Sequence, residues 1–88
     1  MGKTKKNILQ QILDLYPDED FLLATGFDDA VIGFTSDFVV VYSIHKCLNI
    51  LMTEHGMDAF DAVEFFHHNI EGAFVGEQSP IFINNNFK

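Results

Sequence analysis

Apolar residues recur along this chain with two different spacings, and the switches between them outline six elements. From Lys5 to Leu15 the spacing is helical: Ile8, Ile12 and Leu15 share a stripe, with Leu9 and Tyr16 beside it. Its lysine-rich start opposes the helix dipole, so the first turn is expected to fray. Pro17 stops the helix, and Asp18–Asp20 form an acidic connector. Phe21–Ala24 is too short to assign, and Gly26 breaks it.

The pattern then turns strand-like. Ala30–Phe34 and Phe38–Tyr42 are β-branched and aromatic runs joined by Thr35-Ser36-Asp37, which predicts an antiparallel hairpin. The connection lacks Asn-Gly, so its turn type stays open. The second strand is apolar on both faces, Phe38, Val40 and Tyr42 against Val39 and Val41, and calls for cover on both sides.

Helical spacing returns after Ser43, a good N-cap. Over Ile44–His55, the stripe is Ile44, Leu48, Leu51, Met52 and His55, closed by Gly56 in a left-handed cap. Asp58 caps a third helix reaching about Glu71, with Asp61 where a capping-box acid sits. Its expected buried stripe is Ala59, Phe60, Val63, Phe66 and Ile70, and Gly72 ends it. After a turn at Gly76–Ser79, Pro80–Ile83 is a last strand, its proline pointing to an edge or a strand start. Asn84–Asn86 is a polar tail.

The order α-β-β-α-α-β predicts a single small α+β domain over 1–88, with 1–4 and 84–88 expected to be disordered. A three-stranded, mostly antiparallel sheet packed with helices is the economical arrangement. Strand order does not follow from the pattern.

Composition narrows the function classes. Eighty-eight residues make one domain, and a hydrophobic share of 48% with ten Phe is enough to build a core without Trp. Thirteen acidic residues against five Lys give a net charge of -8, which argues against direct nucleic-acid binding, because phosphate neutralisation needs clustered cations. Cys47 stands alone, so neither an intramolecular disulfide nor a multi-thiolate metal site is available, and a buried, inert thiol is expected. No apolar run reaches the roughly 18–20 residues of a membrane span. Gln10, Gln11 and Asp14 interrupt what would be a signal-peptide core, so a cytoplasmic protein is expected.

Candidate chemistry is sparse. Glu64 and His68 are four apart, with Asp61 nearby, a spacing that can hold zinc or share a proton. Three such groups fall short of a structural site, and the plainer reading is an i,i+4 polar pair on a solvated face. His67 is expected as a packed, hydrogen-bonded core histidine beside Phe60. His55 suits a helix C-terminus, and His45 an exposed first turn. Asp28, Asp29 and Glu77 could pair as general acid and base, although the Asp pair also suits a turn. Ser36, Ser43 and Ser79 occupy turn or cap contexts without a nucleophile motif. No cofactor and no bound metal are expected.

Two apolar residues fall off their helix stripes. Ile50 points roughly opposite Leu48, and Phe65 roughly opposite Val63. They mark either mutual burial under the first helix or a partner surface.

From Gly26 onward the chain carries Gly26-Phe27-Asp28-Asp29-Ala30 with Ile32-Gly33, Tyr42 with Lys46-Cys47, and Gly56-Met57. Asp61-Ala62, Glu64-Phe65, Asn69, Gly72-Ala73-Phe74-Val75-Gly76-Glu77 and Pro80-Ile81-Phe82 follow. This pattern resembles a widespread family of uncharacterised small proteins of bacteriophages and bacteria, over about two-thirds of the chain. The first helix lies outside the resemblance, and the Thr35–Asp37 connection is shorter than that family's loop. The resemblance implies a phage-like origin and brings no activity with it.

These features together favour a non-enzymatic protein–protein interaction module, an accessory factor binding a host or phage protein in the host cytoplasm, or a homodimer. Ile50, Phe65, Asp61 and His68 are its candidate surface. The rivals are a small metal- or acid–base-dependent enzyme using Asp28, Asp29, Glu64, His68 and Glu77, and an acidic nucleic-acid mimic.

Overall fold

The computed structural model describes residues 7–74, 76 and 78–87. Helix α1 spans Ile8–Leu15 and begins where Asn7 caps it: the Asn7 Oδ1 accepts the Gln10 N–H at 2.8 Å. Lys5 and Lys6, expected in its first turn, lie outside the described residues. Pro17 ends it as the sequence implies, and the Glu19 N–H turns back onto the Tyr16 carbonyl at 3.1 Å. The buried residues of α1 are Leu9 and Ile12, which pack toward the sheet, whereas Ile8 and Leu15 are exposed.

Strands β1 (Val31–Phe34) and β2 (Val40–Ser43) form the expected antiparallel hairpin. Val31 faces Tyr42 and Gly33 faces Val41, so Ile32 is an extra residue on β1 that bulges the ladder. Strand β3 (Ile81–Ile83) runs parallel to β2, with Tyr42 opposite Phe82. The sheet, ordered β1-β2-β3, is therefore mixed, where a mostly antiparallel one was expected. The cause is the connection: β2 leads straight into helix α2 (Ile44–Glu54) and helix α3 (Ala59–Phe65), and a helical crossover returns the chain in the same direction. The doubly apolar β2 is the central strand, and β3 is an edge, as Pro80 suggested.

Ser43 joins three elements. Its Oγ accepts the Lys46 N–H at 3.3 Å to cap α2, and donates to the Asn85 Oδ1 at 2.7 Å, fastening the polar tail beside β3. Helix α2 ends at Gly56, whose φ of 70° is the left-handed cap conformation.

The buried face of α2 is Cys47, Ile50 and Leu51, flanked by half-buried Ile44, Leu48 and Met52. Ile50, expected on the outer face, is only 8% exposed. The burial has a simple origin. Helix α2 is packed by β2 and the Asp28–Ala30 turn as well as by α3, so its apolar arc widens to about 200° at 100° per residue and takes in Ile50.

Helix α3 is rotated from its expected phase. Ala62 and Phe66 face the core, while Phe60 and Val63 do not. Ala62 is fully buried, and α3 packs on α2. A small side chain facing a neighbouring helix lets the axes approach closely. Past Phe65 the helix widens into a π-type turn over Phe66–Ile70, then tightens into a 3₁₀ turn at Glu71–Ala73. Phe66 meets Phe82 edge-on at 5.3 Å, and Phe82 stacks on Tyr42 at 5.3 Å, which joins this turn to the sheet through one aromatic column.

Candidate interaction surface

The surface built by α3 follows from that rotation. Asp58 fixes the start of the helix, its Oδ1 accepting the Asp61 N–H at 2.8 Å. With Ala62 turned inward, Phe60 lies about 160° away around the helix and Val63 about 100° away. Phe60 is 73% exposed and Val63 38%, and the two stand about 60° apart on one outer face. Phe65, on the opposite flank, is 36% exposed. The residues that sequence periodicity assigned to the core thus form the most exposed apolar part of the helix. The available signal was Ala62, a small side chain amid Phe residues, which marks where a neighbouring helix comes closest.

Polar groups frame this face. His68 Nε2 lies 3.5 Å from Glu64 Oε1, an exposed i,i+4 pair matching the solvated-face reading. His67 is not a core histidine. It is exposed, with Nδ1 2.7 Å from Glu71 Oε1 and its ring edge-on to Phe66 at 5.9 Å. His67 follows Phe60 by seven residues, on the side that the rotation of α3 turns outward, and it stays within reach of Glu71 one turn on. Asp61 is exposed in the first turn of α3, where its backbone N–H serves the cap.

Of the four residues expected on a partner surface, Phe65 and Asp61 are exposed on α3, His68 is exposed on the π-type turn after it, and Ile50 is inside. Among the described residues the acid–base set does not come together as a group of three. Asp28 and Asp29 are exposed on the 3₁₀ turn before β1, where the Asp29 Oδ1 accepts from the Asn7 Nδ2 at 3.5 Å. Glu64 belongs to α3 and His68 to the π-type turn after it, and Glu77 lies outside the described residues. Among the described residues no three His, Cys, Asp or Glu side chains come together as a metal-binding group, and no pocket opens.

Cys47 is fully buried in α2, and burial pushes its thiol up to about 12. Such a group is a packing residue rather than a nucleophile at neutral pH. Among the described residues, no helix is long and apolar enough to cross a membrane.

Compared with known proteins, the chain matches no family model, no curated protein and no solved structure.

Proposed function

We propose that this protein is a non-enzymatic protein–protein interaction module that meets its partner through the outer face of α3. The observation that carries this reading is Phe60, 73% exposed beside Val63 on a helix whose exposed residues also include Asp61 and Glu64. A large aromatic held in water by a rigid, capped helix is the kind of side chain that anchors an interface. Glu64, His68 and Glu71 supply the polar rim such an anchor needs. The role of a phage accessory factor acting on a host or phage protein is supported by the resemblance carried from Gly26 to Phe82.

A photo-crosslinking residue at position 60 of the full chain tests the reading. A discrete adduct in infected or expressing cells, lost when Val63→Asp is added, is the expected outcome. Labelling that is diffuse and indifferent to Val63→Asp would remove α3 as the contacting element.

A further inference from the structure

A second surface lies away from α3, where the C-terminal end of α1 meets the β1–β2 turn. Phe34 and Phe38 stack with ring centroids 6.2 Å apart and planes at 22°. Tyr16 sets its ring edge-on to both, at 5.4 and 5.2 Å, and Phe21 does the same at 6.2 Å from each. None of the four is buried: Tyr16 is exposed and the other three are half-buried.

Phe38 holds φ at 63°, the left-handed region that a bulky L-residue avoids. The turn enforces it. The Phe38 N–H donates to the Thr35 carbonyl at 2.9 Å, while the Thr35 Oγ1 accepts from the N–H groups of Asp37 and Val39, each at 3.2 Å. Glycine would take this position without strain, and here an aromatic ring takes it and joins the cluster.

Among the described residues the charge next to these rings along the chain has one sign. Asp18, Glu19 and Asp20 occupy the short connector between Tyr16 and Phe21, and Asp37 immediately precedes Phe38. All four are exposed, and each lies within two residues of a cluster ring, at most about 7 Å of extended chain. Lys46, the one lysine among the described residues, sits in the first turn of α2, at the far end of β2 from this turn.

We propose that this aromatic–acidic patch docks a basic protein segment, seating an arginine or lysine side chain against Tyr16 and Phe38. Ring faces attract such a cation within about 6 Å of their centroids, and the surrounding carboxylates answer its charge. An anionic partner would be repelled, and a wholly apolar one would strip water from four carboxylates without pairing them. The surface is separate from α3 and does not depend on the function proposed for it.

The test follows backbone amide shifts of the full-length protein during titration with a synthetic peptide in which arginine and leucine alternate between glycines. The same peptide with citrulline in place of arginine is the neutral control. Saturable shifts centred on residues 16–21 and 34–39, absent with citrulline, are expected. Asp18→Asn combined with Asp37→Asn should weaken binding at least about tenfold, as should Phe38→Ala, in variants whose spectra otherwise remain dispersed. The asparagine pair keeps the test decisive if Phe38→Ala disturbs the turn. Shifts that spread equally over Asp58–Glu64, that persist with citrulline, or that ignore the asparagine pair would overturn the proposal, as would no saturable binding.

Discussion

The hydroxyl of Tyr42 accepts the backbone N–H of Ala24 at 2.8 Å, in the interior of the protein and eighteen residues away along the chain. Tyr42 is fully buried on the central strand, and Ala24 is buried in the irregular segment between α1 and β1. That segment has no ladder of its own, so this bond gives a buried amide its partner. Tyr42→Phe keeps the ring and orphans the amide. The expected loss is about 1–3 kcal/mol, read as a lower urea midpoint with unchanged slope. A midpoint equal to that of the natural chain would show that water reaches Ala24 and that the bond is incidental.

Stability should fall in alkali, and the direction follows from two buried acids. Burial pushes the Cys47 thiol up to about 12 and raises the Tyr42 phenol, the latter against the opposing hydrogen bond from Ala24. Both groups are neutral when protonated, so the folded state holds these protons more tightly than the unfolded chain. Their contribution is complete below the unfolded thiol value of about 8.5 and is lost as pH rises toward 12. Each group can add a slope of at most about 1.4 kcal/mol per pH unit. Cys47→Ala should start less stable, because it leaves a small cavity, yet decline more gently between about pH 8.5 and 10. Denaturation curves for the two proteins that descend in parallel across that range would contradict the assignment.

Gly56 is the one residue type that ends α2 without strain. Its φ of 70° suits glycine, and open space surrounds the position a Cβ would take. Crowding is thus removed from the question, and Gly56→Ala measures backbone conformation alone. A destabilisation of about 1–2 kcal/mol is expected from thermal melts. An unchanged melting temperature would mean that α2 unwinds a turn early at little cost.

Phe38 poses the opposite case. Comparing Phe38→Ala with Phe38→Gly separates ring from backbone, because both remove the ring and only glycine relaxes the positive φ. The glycine variant should be the more stable of the two by about 1 kcal/mol. Equal stabilities would show that the turn reorganises once the ring is gone.

The parts legible from sequence are those decided within one turn of chain. Ser43 and Asp58 cap their helices, Gly56 takes its left-handed conformation, Pro17 ends α1, and the two β-branched runs form the hairpin. Each is a contest between a side chain and its nearest backbone groups, so residue identity decides it. What was not legible depends on distant neighbours. The phase of α3 is set by packing against the rest of the fold, which buries Ala62 and Phe66 and leaves Phe60 out, and Ile50 is covered because α2 is packed from more than one side. Likewise, the gathering of Tyr16, Phe21, Phe34 and Phe38 needs α1 to be laid against β1. Sequence periodicity pointed to Phe65 as the off-stripe apolar residue of α3, whereas Phe60, which it placed in the core, stands furthest out.

Self-association through α3 is the last expectation. Two copies related by a two-fold axis would set Phe60 and Val63 of one chain against those of the other, burying four apolar side chains at once. Fully burying a Phe or Val is worth about 1.5–3 kcal/mol, and with Phe60 already 73% exposed most of that gain is still available. Association costs at least about 4 kcal/mol of lost freedom, so a patch this small supports a weak dimer. The net charge of -8 on each chain opposes contact, and salt that screens it should tighten the dimer. Sedimentation of the full chain at high micromolar concentration should show mass rising toward the dimer as salt is added. Phe60→Asp should abolish that rise, and Phe65→Asp, on the opposite flank, should weaken it less. A monomer at both low and high salt would rule out self-pairing and leave the exposed face of α3 to a different chain.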